Sequence, residues 1–266
     1  MQVWSLGSGS SGNAYLLCAR DTLVLVDCGL GLRTLEHRLA AAGVAPEALT
    51  AVLVTHEHSD HLGGVPALVR RYDVPVYATA GTLRAANGKL AGTAQTHTVM
   101  ADRAFSVGDF AVHPFAVPHD ATEPVGYRLN TGRARAVILT DLGHVPPYVA
   151  AQLGDVELLV LEFNHDVEQL VNGPYHAKLK RRIASPLGHL SNTDAAACLT
   201  GALSRTHRAV WLAHLSETNN TQRRAGDAAR AAARAAGYPD LPIQIAARGR
   251  VSLHWDLDTP HQLRLF

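Results

Sequence analysis

Short apolar runs separated by polar, glycine-rich turns recur along the chain. Between them lie stretches whose apolar residues return every three or four positions. The first pattern reads as buried strand and the second as amphipathic helix. In the first half it predicts an edge strand at 2–6, strands at 14–18, 22–26, 49–54 and 75–78, and helices at 33–42, 65–72 and 82–90. A hairpin at 105–115 turns at Gly108 and Asp109. The second half repeats the style of the first. A buried strand from Ala136 ends near Asp141, and further strands are expected at 156–161 and 208–213. Helices are expected at 193–203 and 221–236, then a strand pair formed by 243–246 and 250–255. Residues 258–266 read as a loosely held tail.

Where the strand at 49–54 gives way to the helix at 65–72, the chain reads Thr55-His56-Glu57-His58-Ser59-Asp60-His61-Leu62-Gly63-Gly64. Imidazole and carboxylate are the ligands preferred by borderline divalent ions. A solvated loop has little use for such a concentration of them. His56 and His58, two apart in extended backbone, leave on one side and can share an ion. Asp60 and His61, adjacent at the turn into the helix, can address a second. The missing ligands must come from later in the chain. His119, Asp141 and His214 each stand at or near the end of an apolar run, where ligands collect in sheet-based enzymes. His119 can complete the first ion, His214 the second, and Asp141 can bridge.

Other polar positions read two ways. Asp27, after the strand at 22–26, either caps a turn or orients metal ligands from behind. The run 7–13 is a flexible hairpin turn or a phosphate nest. His189 is a cap-loop residue or a catalytic acid. The basic run of Lys178, Lys180, Arg181 and Arg182 is a solvated helix face or a patch for phosphates. The arginines of 221–236 are expected to face solvent.

With 266 residues, 47% of them apolar, the chain can bury a large core, and its net charge of +1 argues neither for nor against a polyanionic partner. Cys18, Cys28 and Cys198 lack metal-site or redox spacing and read as buried thiols of a cytoplasmic protein. No export signal is apparent, and no stretch approaches the roughly 20 apolar residues of a membrane span.

Residues 55–61 resemble the HxHxDH signature of the metallo-β-lactamase superfamily. Asp27, His119, Asp141 and His214 match its other motifs, so the resemblance covers nearly the whole chain. More narrowly, Ser5-Leu6-Gly7-Ser8-Gly9-Ser10-Ser11-Gly12-Asn13, Leu161-Glu162-Phe163-Asn164-His165-Asp166, Gly188-His189-Leu190-Ser191-Asn192 and Leu212-Ala213-His214-Leu215-Ser216-Glu217-Thr218-Asn219-Asn220 are similar to the YycJ/WalJ-like family. The resemblance implies an α/β fold, a four-layer αββα sandwich of two similar halves. It fills 1–257 as a single hydrolase domain without a β-CASP insert. It implies two divalent ions (zinc or manganese, with iron admissible), one held by His56, His58 and His119 and the other by Asp60, His61 and His214. Asp141 and a hydroxide would bridge them.

The implied activity is phosphodiester hydrolysis, most specifically 5′→3′ exonuclease action on DNA. Asp60 would steer the hydroxide, and Glu162 with His189 would protonate the leaving oxygen. Ser8, Ser10, Ser11, Asn13, Ser216, Asn219 and Asn220 are candidates to hold flanking phosphates. His144 and His165 are left as supporting or structural residues. The alternatives are a small-molecule (cyclic) phosphodiesterase and, with less support, a thioester or lactone hydrolase. β-Lactam hydrolysis is disfavoured, because the common secreted subclass has a cysteine at the position of Asp141.

Overall fold

The computed structural model describes residues 1–86, 88–90 and 95–258. They form two compact units: one made of residues 1–116, 121–134 and the segment beginning at Ala247, the other of 117–120 and 135–246. In chain order the first unit contains β1 (Gln2–Gly7), β2 (Ala14–Ala19), β3 (Thr22–Val26), α1 (Leu32–Ala41), β4 (Ala51–Leu53), α2 (Ser59–Leu62), α3 (Val65–Tyr72), β5 (Val76–Thr79), α4 (Ala80–Ala85), β6 (Thr96–Val99), β7 (Phe105–Val107), β8 (Phe110–Ala116) and β9 (Val125–Asn130). The second contains β10 (Arg135–Leu139), α5 (Pro147–Leu153), β11 (Leu158–Glu162), α6 (Val167–Asn172), α7 (Ala177–Ile183), α8 (Asn192–Ala202), β12 (Ala209–Ala213), α9 (Gln222–Ala235) and β13 (Ile243–Ile245). Finally β14 (Leu253–Asp256) belongs to the first unit.

Seven strands of the first unit form one sheet in the order β14-β1-β2-β3-β4-β5-β6. β1, β2 and β3 run antiparallel, and β3 to β6 run parallel. Its core joins Leu16, Leu25, Val52 and Val54 to Leu35 and Leu39 of α1 and Leu68 of α3. Leu35 and Leu39 are one helical turn apart, so both fall on the buried stripe. Each such side chain stabilises the fold by about 1.5–3 kcal/mol. β7, β8 and β9 form an antiparallel meander. In the second unit β10, β11, β12 and β13 are parallel neighbours. β10, β11 and β12 are almost wholly buried, which suits their continuous apolar sequences. Along the chain an antiparallel run is twice followed by a parallel one, as the similar style of the two halves suggests.

Four local expectations are corrected. β1 is not an edge strand, because β14 pairs with it from the C-terminal end of the chain. Residues 243–246 and 250–255 do not pair with each other: β13 joins β12 in parallel, and β14 joins β1 antiparallel. The strand expected at 49–54 is only Ala51–Leu53, since Leu49 closes a short 3-10 turn. The helix expected at 82–90 is Ala80–Ala85, started by the Thr79 hydroxyl, which accepts from the Thr82 amide. Residues 259–266, most of the expected tail, lie outside the described residues. Cys28 is buried, Cys18 and Cys198 are half-buried, and all three are free thiols. No helix among the described residues is long and apolar enough to cross a membrane.

Candidate metal centre

In the first unit the site grows from the parallel pairing of β3 and β4. Asp27 follows the last residue of β3, and its amide donates to Leu53 O at the end of β4 (2.8 Å). Its carboxylate therefore faces the chain as it leaves β4. Oδ1 accepts from the Thr55 amide at 2.8 Å, and Oδ2 accepts from the Thr55 hydroxyl at 2.9 Å. Oδ2 also accepts from His61 Nδ1 at 2.8 Å. A carboxylate only accepts, so His61 carries its proton on Nδ1 and its lone pair on Nε2. The Thr55 hydroxyl has spent its proton on Asp27, so it accepts from His56 Nδ1 at 3.0 Å. His56 is thereby fixed in the same tautomer. One fully buried carboxylate sets two imidazoles, the second through a threonine that the sequence reading did not single out.

His56 and His58 stand edge to face with ring centroids 4.6 Å apart, and those of His56 and His61 are 4.1 Å apart. His58 and Asp60 are half-buried. The turn holding them is clamped by backbone bonds from Asn13 N to Asp60 O (2.7 Å) and from Cys28 N to His61 O (2.8 Å). Gly29 makes this possible, because a Cβ there would stand 1.8 Å from Asp60 O.

The run 7–13 behaves as a tied hairpin turn. Asn13 Oδ1 accepts from the Gly9 amide at 2.8 Å, while Asn13 Nδ2 lies 3.0 Å from His61 Nε2. Ser8 Oγ is buried and accepts from the Tyr15 hydroxyl at 3.0 Å. Only Ser10 and Ser11 present their side chains to solvent.

In the second unit three adjacent parallel strands deliver the chemistry at their C-terminal ends. Asp141 lies two residues past β10, Glu162 is the last residue of β11, and His214 follows β12. Asp27, Asp141 and His214 all have positive φ, at 60°, 56° and 53°. This left-handed conformation turns each side chain sharply as the strand ends, and for histidine it stores strain.

Glu162 is fully buried, and both its oxygens are occupied. Oε2 accepts from the amides of Leu142 (3.2 Å) and Leu190 (3.0 Å). Oε1 accepts from Nδ1 of His189 at 2.9 Å and of His214 at 2.8 Å. Asp141 Oδ1 lies 3.3 Å and 3.2 Å from the same two nitrogens. The expected Glu162–His189 pair is one arm of a fork whose other arm holds His214. Burial alone would push the Glu162 carboxyl up. The charge on His189 and the hydrogen bonds from both imidazoles outweigh it, and the group is lowered to about 2. His189 has the reciprocal balance: burial opposes its charge, but Glu162 and Asp141 overcome it and raise the imidazole.

His119 donates from Nδ1 to Gly188 O at 3.1 Å, and burial lowers it. Its ring centroid is 5.3 Å from that of His189. The two loops are laced further by Asp120 N on Leu187 O (3.0 Å) and by an ion pair between Asp120 and Arg182.

The remaining expectations sort by burial. Asn220 is spent internally, donating to Phe163 O and Asn164 O and exchanging hydrogen bonds with Asn192. Asn219 is fully buried, and its carbonyl accepts from Asp166 N. Neither presents an amide to a phosphate, which corrects that expectation. Ser216 Oγ, half-buried, accepts from the Asn219 amide at 3.1 Å. His165 is buried, and His144 is exposed with Nδ1 donating to Pro186 O.

No residue of α7 is buried, so the basic run is an exposed helix face. Lys180 caps Val171 O and Arg182 pairs with Asp120, while Lys178 and Arg181 are exposed. On α9, Arg223 and Arg230 pair with Asp227, and Arg224 reaches Asp166 and Glu168.

The donor set suits a borderline divalent ion. His56 and His61 carry fixed Nδ1 protons and Nε2 lone pairs, the arrangement found behind metal-bound histidines. His119 and His214 repeat it with Gly188 O and Glu162 as acceptors. Glu162, which already accepts four hydrogen bonds, serves as support.

A family model described as the beta-lactamase superfamily domain matches residues 22–211. The exodeoxyribonuclease WalJ of Streptococcus pneumoniae is 40% identical over 219 residues, which span 81% of this chain and 81% of that protein. The exodeoxyribonuclease YycJ of Bacillus anthracis is 36% identical over 217 residues, 81% of this chain and 82% of that protein. Among solved structures, the metallo-β-lactamase fold protein YhfI from Bacillus subtilis superposes with a TM-score of 0.74 at 20% identity, over 96% of this chain and 99% of that one. The fold is thus the metallo-β-lactamase αββα class expected from the motifs. The chain belongs to the metallo-β-lactamase superfamily and, within it, to the family of WalJ and YycJ.

Proposed function

We propose that this protein is a metal-dependent phosphodiester hydrolase acting as a 5′→3′ exonuclease on DNA, with residues 1–257 as one hydrolase domain. The observation that carries the hydrolase reading is the pair of buried carboxylates, Asp27 and Glu162. Each fixes Nδ1 protons on two imidazoles and leaves Nε2 as the lone-pair nitrogen. That is ligand preparation on a scale a structural core has no need of. DNA as substrate rests on the two relatives named as exodeoxyribonucleases. The free thiols fit a cytoplasmic setting.

In this reading His56, His58 and His119 hold one ion, Asp60, His61 and His214 hold the other, and Asp141 serves both. Ligands without thiolate suit zinc, manganese or iron. Bound divalent ions supply Lewis-acid charge and lower the pKa of coordinated water toward about 7. Asp60 orients the attacking water. His189, kept protonated by Glu162, delivers the proton to the leaving oxygen. Ser10, Ser11 and Ser216 are placed to meet flanking phosphates.

The test strips the protein of metal, adds back Mn²⁺ or Zn²⁺, and supplies 5′-labelled double- and single-stranded DNA, RNA, and bis(p-nitrophenyl) phosphate. Metal-dependent release of labelled mononucleotide from DNA is the expected result. Turnover of the small diester with every polymer left intact would reject DNA as substrate in favour of a small phosphodiester.

A further inference from the structure

A cavity of about 840 Å³ opens in the second unit. One wall is a stripe of α8, residues 194, 197, 198, 201 and 202, and another is formed by Ala184, Ser185 and Pro186. The third is Gly143, His144 and Val145. The size is that of a small-molecule site.

Its chemistry is selective. No lysine or arginine lines it, and the one charged side chain is Asp194. The Cys198 thiol stays neutral, because burial pushes it up to about 11. His144 donates Nδ1 to Pro186 O at 2.9 Å, so its Nε2 is an acceptor. Asp194 uses one oxygen to accept the Ser191 hydroxyl at 2.6 Å. The rest of the lining is mainly alanine, valine and proline. Such a cavity repels a phosphate and receives a flat, uncharged group with N–H donors on its edge. That describes a nucleobase, whose amino groups pair with carboxylate and imidazole acceptors.

The surroundings favour the same occupant. Two of the exposed large apolar side chains, Tyr148 and Leu187, lie within two residues of lining positions and offer surfaces for stacking. Ala184 directly follows α7, whose Lys178 and Arg181 are exposed to a backbone that the cavity itself would reject. Both lining loops also run straight into the candidate site. Gly143 comes two residues after Asp141 and donates to Pro118 O at 2.8 Å, beside His119. Pro186 precedes His189 by three residues.

We infer that this cavity receives a nucleobase unstacked from a single DNA strand, next to the phosphate being cut. This rests on the nuclease reading above. A nucleotide seated there would be held by its base, with its phosphates left outside toward α7 and His189.

Gly201 gives the test. A Cβ built there meets nothing within 4 Å, and phenylalanine is a better helix former than glycine, so Gly201→Phe folds and fills the cavity. Gly201→Ala leaves it open and serves as the control. Binding of a fluorescein-labelled thymidine oligomer is measured by anisotropy on chelator-treated protein, beside an oligomer of the same length with abasic sites. The inference predicts that Gly201→Phe weakens binding of the thymidine oligomer about tenfold, the effect of one lost stacking contact. It also predicts that Gly201→Ala binds as wild type and that the abasic oligomer does not distinguish the three proteins. Equal affinity of wild type and Gly201→Phe for the thymidine oligomer would overturn it. Because this readout needs no catalysis, failure of the nuclease reading is seen separately, as intact DNA in the metal-loaded digestion.

Discussion

Glu162 Oε1 lies 2.8 Å from His214 Nδ1 and on the same oxygen receives His189 Nδ1 at 2.9 Å. One carboxylate thus fixes a proposed metal ligand and a proposed proton donor together. Glu162→Gln is nearly isosteric but can present only one oxygen. Its NH₂ must face either the amides of Leu142 and Leu190 or the two imidazole N–H groups. We expect metal affinity measured by calorimetry to fall about 10–100-fold. The thermal midpoint should fall as well, since buried donors lose their acceptor. Unchanged metal affinity would remove Glu162 from the site's supporting role.

Asp27 is the counterpart in the first unit. Asp27→Ala strands the Thr55 amide, the Thr55 hydroxyl and His61 Nδ1 in a fully buried setting. At about 1–3 kcal/mol for each unsatisfied group, a loss of about 3 kcal/mol or more is expected in urea unfolding. Asp27→Asn should be the milder change, because asparagine tolerates the φ of 60° and keeps one acceptor.

His189→Ala should fold and bind metal normally yet turn over slowly. General-acid assistance is typically worth about 10²–10⁴-fold, and the loss should fall on kcat rather than KM. Loss of bound metal in this variant would make His189 a ligand and undo its separation in role from His214.

His207 predicts a pH dependence of stability outside the site. Its Nε2 donates to Leu153 O at 3.1 Å, and its Nδ1 accepts from Ser204 N at 3.2 Å, so only the neutral ring fits. Burial lowers it below the ordinary value of 6.5. The unfolded chain then binds the proton more readily than the folded one. This contribution to stability is complete above about pH 6.5 and is lost as the pH falls toward the lowered folded value. Thermal midpoints measured from pH 8 to 5 should decline more steeply for wild type than for His207→Gln.

The metal ligands were legible because their residue types are unusual and their spacing is local. His56, His58, Asp60 and His61 sit in one turn, and Asp141 and His214 follow strong apolar runs. Less legible were relationships set by pairing over long distances. Thr55 becomes a relay only because β3 and β4 run parallel and set Asp27 beside it; a threonine ahead of the first histidine was the available hint. The second arm of Glu162 depends on the adjacency of β11 and β12. β14 pairs with β1 from the far end of the chain, so β1 looked like an edge. Asn219 and Asn220 read as phosphate contacts because polar loops after strands often are. Nothing in their local sequence foretold that Asn220 would satisfy the backbone of Phe163 and Asn164.

The central claim is a two-ion site in which Asp141 serves both ions. Its most direct test is the metal content of wild type and Asp141→Ala after chelation, refilling with Mn²⁺ or Zn²⁺ and dialysis, read by elemental analysis alongside DNA digestion. The account predicts two ions per chain in the wild type, and at most one, with no digestion, in the variant. An Asp141→Ala protein that keeps two ions and digests DNA would contradict it.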